Sequence, residues 1–431
     1  MTSLAQSGLM LSELLRASHT ATFEELPALL REHAGRAGVG RARLFVADLQ
    51  QEVLREVTGR GIDAGAGGLE LRVDATVAGR SFMNTQVLSS TSDGGRQYWL
   101  PLLDGTERLG VLCVDTDAGS AENAQVMRGL ASLMGIMLVS KRTNSDSFAR
   151  LTRTSPMSVS AEMQWSLMPP RTFSNNRVTI ACAMEPAYAT AGDAFDYALA
   201  GETAHMAVFD AMGHDTTAGL TANLAVATCR NQRRQGAGPA QVCDAIEAVL
   251  LEQFQHHCYV TGVMADLDLR TGMFTWVNSG HMPPILIRGG RWAATLDCPP
   301  THPMGTDLGI PVTVCHRQLE PGDRVVLYTD GVTEARSPTG QEFGRRRFVD
   351  FIIRHQADGL PVPETLRRLV HAVLEHHGKL TDDATVLLCE WHHPYSARAS
   401  ETSAAPPPTP AGAGSSPASV PPPAPAQPGS P

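Results

Sequence analysis

The sequence predicts a mixed α+β protein in two folded domains, and three observations carry that prediction. The chain has 431 residues, nearly three times the ~150-residue modal domain, so one core is excluded. Strand-like runs group with strand-like runs and helical runs with helical runs, which indicates layered antiparallel sheets rather than alternating βαβ units. Of the 27 residues from Ala405 to Pro431, 11 are Pro. The rest of the chain therefore carries an ordinary Pro load, and the compositional excess describes a tail rather than a loop-rich fold.

Residues 6–37 read as two helices, the second with Phe23, Leu26, Leu29 and Leu30 on one face and Pro27 near its start. The period then changes to short strands at Arg43–Asp48, Leu69–Val73, Tyr98–Leu103 and Leu109–Val114. Asp104-Gly105 between the last two signals a hairpin. From Ala121 to about Leu167 the spacing of Val126, Met127, Leu130, Leu133, Met134 and Met137 is helical, with a break near Pro156 and an end at Pro169-Pro170. Strands return at Val178–Met184, Met206–Phe209, Tyr259–Met264, Phe274–Asn278, Ile285–Ile287, Arg324–Tyr328 and Ala384–Trp391, with turns at Asp268–Gly272 and Gly289-Gly290. Two helices, Thr216–Arg234 and Pro239–Phe254, sit together in the middle; two more fall at Arg345–His355 and Pro363–His377. Domains are expected at 15–140 and 171–393, joined by a helical linker at 141–170. The Pro/Ala/Ser-rich remainder, 394–431, cannot bury enough apolar surface to fold and reads as a disordered tail.

The net charge of −9 and pI near 5.9 argue against a nucleic-acid partner or an anionic membrane surface. No apolar run approaches the ~18 residues that span a bilayer, and Glu13, Glu24 and Glu25 interrupt any secretory core. The expectation is a cytoplasmic protein. Its eight cysteines are widely spaced without a CxxC pair, and they read as reduced, packed thiols.

Four acidic clusters mark the chemistry. Met206-Ala-Val-Phe-Asp210 runs into Ala211-Met-Gly213-His214-Asp215, and Val325-Val-Leu-Tyr-Thr-Asp330 runs into Gly331. Gly192-Asp193-Ala-Phe-Asp196 follows another strand, and Thr381-Asp382-Asp383-Ala384-Thr385 precedes the last. Carboxylates at strand ends without a His/Cys set suit hard cations such as Mg²⁺ or Mn²⁺ rather than Zn²⁺. If the clusters converge, their mutual repulsion is most simply neutralised by a two-metal centre.

Two resemblances follow from these motifs. Val77-Ala-Gly-Arg-Ser-Phe-Met-Asn and Gln97-Tyr-Trp-Leu-Pro-Leu-Leu-Asp-Gly-Thr-Glu-Arg-Leu-Gly-Val-Leu resemble a GAF sensory domain, whose ligand, if any, the sequence does not identify. Ala191-Gly-Asp-Ala-Phe-Asp196, Phe209-Asp-Ala-Met-Gly-His214, Tyr259-Val-Thr261, Asn278-Ser-Gly-His281, Pro321-Gly-Asp323, Tyr328-Thr-Asp-Gly-Val-Thr-Glu334 and Thr381-Asp-Asp-Ala-Thr385 resemble, in order, the SpoIIE-type branch of the metal-dependent, protein phosphatase 2C-like (PPM) enzymes. Gln164-Trp-Ser-Leu-Met-Pro-Pro170 is similar to the linker that such proteins carry. The resemblance implies an α-β-β-α sandwich and hydrolysis of phosphoserine or phosphothreonine by metal-activated water without a covalent phosphoenzyme.

It also implies roles. Asp210 bridges both metals, the Ala211 carbonyl is a neighbouring ligand, Asp193 holds metal-bound water, and Asp330 with one of Asp382 and Asp383 binds the second metal. Alternation along a strand lets only one of that pair face the site, and the resemblance favours Asp382. Asp196, three residues from Asp193, reads as structural. His214 and His281 are candidates for leaving-group protonation, with loop bracing the stronger reading for each; Gly213 and Gly331 support the loops. The sequence departs from the family where Ala191 and Asp215 replace Gly, and where Met212 stands at the position of a His in eukaryotic relatives. The implied substrate is a phosphorylated STAS-type anti-anti-sigma factor, and the GAF-like domain with the helical linker suggests a parallel homodimer. Two other classes compete: a catalytically inactive scaffold acting by partner binding, which the retained repelling carboxylates disfavour, and a hydrolase of small phosphoesters.

Overall fold

A computed structural model describes residues 3–36, 39–92, 95–116, 121–190, 192–377 and 382–392. Ala191, Thr381, His393 and the expected tail at 394–431 lie outside the described residues. The N-terminal region runs α1 (Ser3–Ser18), α2 (Leu26–Arg36), β1 (Arg41–Ala47), β2 (Val53–Val57), β3 (Glu70–Arg72), α3 (Val77–Asn84), β4 (Leu88–Ser92), β5 (Gly95–Asp104), β6 (Glu107–Thr116) and α4 (Ala121–Arg142). Two short helices follow, α5 (Asp146–Thr152) and α6 (Val159–Leu167). The helical period of 121–167 is thus real, and it is broken twice rather than once. Ser145 and Ser158 each cap the next helix by accepting a backbone N–H, which fixes both breaks chemically.

The six N-terminal strands form one antiparallel sheet in the order β3-β2-β1-β6-β5-β4. Leu44, Val46, Leu100, Leu112 and Val114 bury one face under α1, α2 and α4, while Phe45, Trp99 and Val111 bury the other against Phe82 of α3. Cys113 belongs to this second core, and burial pushes its thiol up to about 12. That is the behaviour of a packed hydrophobe.

The C-terminal region adds β7 (Thr172–Ser174), β8 (Val178–Glu185), β9 (Asp193–Ala200), β10 (Thr203–Ala211), α7 (Thr216–Arg234), α8 (Pro239–Phe254), β11 (Val260–Asp268) and β12 (Met273–Ser279). After these come β13 (Ile285–Arg288), β14 (Trp292–Thr295), β15 (Cys315–Gln318), β16 (Arg324–Tyr328), α9 (Asp330–Glu334), α10 (Arg345–Ala357), α11 (Val362–His377) and β17 (Ala384–Trp391). They build two antiparallel sheets, β15-β12-β11-β10-β9 and β14-β13-β16-β17-β8-β7. Val208, Val263 and Val277 from the first sheet and Ile180, Leu327 and Leu387 from the second share one core that α7 and α8 also enter. Tyr328, Val386 and Leu388 turn outward onto Phe348, Ile352, Leu366 and Leu369 of α10 and α11. The strands are apolar on both faces because each sheet is covered on both, which is why they read as continuous hydrophobic runs.

One expectation is overturned. Cys298 and Cys315 are joined as a disulfide, and the other six cysteines are free and buried. The pairing of β15 with β12 and the loop between the two cysteines bring them together, a tertiary relation that no local spacing announces.

Candidate active site

Each acidic cluster is delivered by a strand end or the turn beside it. Asp193 opens β9 and Asp210 lies near the end of β10, directly opposite in the ladder. Asp330 opens α9 immediately after β16, and Asp382 and Asp383 form the turn leading into β17, the neighbour of β16. Two glycines permit the approach of these segments. A Cβ on Gly192 would stand 2.7 Å from the carbonyl oxygens of both Ala211 and Gly213, and one on Gly331 would stand 2.0 Å from that of Asp383. Any other residue would push the Asp193 loop off the Asp210 loop, or Asp330 off the Asp382-Asp383 turn.

The carboxylates feel one another. Asp210 is pushed up to about 7, first by burial and then by the charges of Asp330, Asp382 and Asp383. Burial, followed by Asp210 and Asp383, holds Asp193 well above the ordinary carboxylate range. Asp330 is raised by burial and by Asp382. Asp193, Asp210, Asp330 and Asp382 have no Arg or Lys ion-pair partner among the described residues. The four acidic clusters the sequence singled out therefore converge, carrying negative charge that protein cations do not offset.

Asp382 and Asp383 precede β17, so strand alternation does not sort them. Asp383 is buried, and its Oδ2 accepts the backbone N–H groups of Gly192 at 2.7 Å and Asp193 at 3.2 Å. Asp382 is exposed and accepts the N–H of Asp383 at 2.9 Å. The first ties two loops together, while the second keeps oxygen lone pairs facing outward. Asp196 points the other way along β9, fully buried, and accepts from Arg230 at 2.7 Å and from Arg233 on α7. Its structural reading fits this geometry.

His281 is braced on both nitrogens, Nδ1 2.8 Å from the Thr261 hydroxyl and Nε2 3.0 Å from the Tyr328 carbonyl. Burial lowers its pKa to about 4, so at neutral pH it is an uncharged tie between β11 and β16. With Nε2–H donating to Tyr328, Nδ1 accepts from Thr261. His214 is exposed in the loop after β10, Gly213 beside it has φ +94°, and Asp215 caps α7 by accepting from Ala218. The Asp at this departure from the family pattern thus has a local use.

Two site residues escaped sequence reasoning. Thr329, fully buried, donates its hydroxyl to Asp193 Oδ2 at 2.7 Å and accepts from the Thr385 N–H at 2.9 Å. Gln164 of α6, also fully buried, donates to the Asp193 main-chain carbonyl at 2.6 Å. Both lie inside quoted motifs, beside Asp330 and at the head of the linker motif, and that adjacency was the signal available.

Among the described residues, no three His, Cys, Asp or Glu side chains are gathered to hold one ion alone. The donor set still suits a hard cation. It is all oxygen and lacks a counter-charge, and Mg²⁺ binds through one or two carboxylates with water completing its shell.

The region that carries these carboxylates is similar to known proteins. The family profile described as "Stage II sporulation protein E (SpoIIE)" matches residues 200–392. The phosphoserine phosphatase RsbU of Bacillus subtilis (strain 168) is 24% identical over 192 residues, covering 43% of this chain and 56% of that protein. Protein IcfG of Synechocystis sp. is 33% identical over 85 residues, 20% of this chain and 13% of that one. The chain thus aligns with about half of one curated relative and a small part of the other. Among solved structures, the SiaA-PP2C domain of Pseudomonas aeruginosa is 20% identical with a TM-score of 0.46, covering 53% of this chain and 93% of that one. Residues 200–392, which hold Asp210, Asp330 and Asp382, are thus similar to the SpoIIE family, the family whose motifs the sequence resembles.

Proposed function

We propose that this chain is a divalent-metal-dependent protein serine/threonine phosphatase whose N-terminal region, a GAF-like sensory domain, regulates it. The observation that carries the reading is the convergence of Asp193, Asp210, Asp330 and Asp382 with no cationic side chain among the described residues to offset them. Asp210, the Ala211 carbonyl, Asp193, Asp330 and Asp382 would hold two Mn²⁺ or Mg²⁺ ions, with Asp383 positioning the Asp193 loop. Bound there, the ions would lower the pKa of water and offset charge on the phosphoryl oxygens.

The chain's own contribution is placement. Thr329 fixes the Asp193 carboxylate while Gln164 fixes its main chain. His281 is committed to Thr261 and Tyr328 and uncharged at neutral pH, so it holds the strands rather than protonating a leaving group. Exposed Met212 and His214 stand beside Asp210, where a phosphorylated side chain would enter.

The relative named phosphoserine phosphatase RsbU supports a phosphoserine substrate, and we assign as that substrate a phosphorylated STAS-type anti-anti-sigma factor in the cytoplasm. The helical linker and the N-terminal region would pair two chains as a homodimer. The test is Mn²⁺-dependent phosphate release from a phosphoserine-bearing STAS protein measured against release from free nucleotides. Turnover of the phosphoprotein alone is expected; turnover of nucleotides alone would overturn the reading.

A further inference from the structure

Where the N-terminal sheet meets the C-terminal one, a cleft of about 810 Å³ opens. Met83, Leu103 and Thr106 form one wall, and Gln356, Leu360 and Val362 the other. Its volume falls within the ~300–1,000 Å³ range of small-molecule sites, which favour such junctions and mix an apolar lining with a few polar groups. Beside it the two regions are tied by a buried ion pair, Arg108 to Glu364 at 2.6 Å. The cleft therefore lies beside a closed contact between the two regions.

Its polar residues are incompletely satisfied. Arg324 Nη1, Thr106 Oγ1 and Gln356 Oε1 are each shut from solvent without a hydrogen-bond partner among the described residues, and all three residues line the cleft. Buried polar groups in folded proteins are nearly always paired, so three orphans around one void point to an absent partner. The chemistry of that partner follows from theirs. Arg324 already gives its Nε to Glu390 at 2.8 Å, which offsets the guanidinium charge, and Nη1 seeks an acceptor oxygen. Gln356 gives its Nε2 to the Gly322 carbonyl at 3.4 Å, and its Oε1 seeks an N–H. The rest of the lining mixes aliphatic side chains and Pro and Gly backbone with polar side chains, among them Arg108, Glu364, Glu390 and His392.

We propose that the cleft binds a small amphiphile, an aromatic acid that also carries an N–H, with the acid oxygen on Arg324 and the N–H on Gln356. Arg324 begins β16 and Glu390 lies opposite it near the end of β17. Asp330 and Asp382 lie beyond the other ends of these strands, roughly 20 Å away at the rise of a β-strand. The site is distinct from the carboxylate cluster, and its occupancy is readable without catalysis.

The probe is 8-anilinonaphthalene-1-sulfonate, which carries an aromatic body, a sulfonate and an N–H, titrated into the full folded chain with fluorescence as readout. Saturable binding at one site per chain is expected. Gln356→Leu removes the acceptor while keeping side-chain length, and it should weaken binding about tenfold; thermal stability should change little, because the long bond to the Gly322 carbonyl is lost but a buried orphan disappears with it. Leu360→Trp should fill the cleft and abolish the saturable phase; should it fold poorly, Gln356→Leu carries the test. Ile62→Ser, at an exposed apolar residue outside the cleft, should leave binding intact. No saturable phase, as for a cleft holding only water, or an affinity unchanged in Gln356→Leu, would overturn the proposal.

Discussion

Gln164 of α6 donates its side-chain N–H to the main-chain carbonyl of Asp193 at 2.6 Å. One hydrogen bond thereby joins the linker to the first residue of the strand that presents a site carboxylate. Gln164→Ala leaves that buried acceptor unsatisfied, which costs about 1–3 kcal/mol. The variant should melt at lower temperature and need several-fold more Mn²⁺ for half-maximal activity. An unchanged Mn²⁺ dependence would show that α6 supports the fold without positioning Asp193.

Gly331 sets the distance between the Asp330 helix and the Asp382-Asp383 turn. In Gly331→Ala the new methyl would stand 2.0 Å from the Asp383 carbonyl oxygen, an overlap that only backbone displacement relieves. Metal-supported activity should fall by at least about tenfold, equivalent to roughly 1.4 kcal/mol, with a clear loss of thermal stability. A variant that retains wild-type activity would mean that the two segments need not touch.

The pH dependence of metal-free stability has a definite sign. Burial and the charges of Asp330, Asp382 and Asp383 push Asp210 up to about 7 in the folded chain, and Asp193 and Asp330 are raised too. A carboxyl whose folded pKa is raised holds its proton more tightly when folded. Its contribution favours the fold fully below the unfolded pKa and is lost as pH rises through the folded one. In EDTA the melting temperature should therefore fall as pH rises from about 4 to about 7, and Mn²⁺ should reverse the loss at the upper end. Asp210→Asn should flatten the slope, and an equally steep slope in that variant would contradict the electrostatic account.

Glu364 joins the two regions, accepting from Arg108 of the N-terminal sheet at 2.6 Å, from Arg367 at 3.1 Å and from Arg368 at 2.9 Å. Arg367 continues to Asp74 at 2.7 Å. Glu364→Gln strips the counter-charge from buried Arg108, and breaking a buried pair in this way costs about 3–5 kcal/mol. Arg368→Gln removes only the half-exposed partner and should cost about 1 kcal/mol or less. Denaturant melts of both variants check this order; equal losses would mean that the buried Arg108 contact carries no special weight.

Much of this architecture was legible in the sequence because it rests on local patterns. Runs such as Arg324–Tyr328 and Ala384–Trp391 are apolar throughout because both sheets are covered on both faces, and turns such as Asp104-Gly105 carry their own chemistry. The acidic clusters could be placed at strand ends because Asp and Gly interrupt those runs. β9 was harder to see, since Asp193 and Asp196 break its apolar pattern, and the reason is that each carboxylate faces a different specialised partner. Long-range pairings left no local trace: Cys298 with Cys315, Arg108 with Glu364, and Gln164 with Asp193 depend on how distant segments pack. The sorting of Asp382 from Asp383 also depended on the backbone, which turns there rather than extending.

The most direct test is Mn²⁺-dependent hydrolysis of p-nitrophenyl phosphate by the full chain and its Asp210→Asn variant, followed as initial rate against Mn²⁺ concentration. The account predicts saturable activation of the natural chain, none in EDTA, and a loss of at least about a thousandfold in the variant, roughly 4 kcal/mol of transition-state stabilisation. Full activity of Asp210→Asn, or activity of the natural chain that persists undiminished in EDTA, would contradict it.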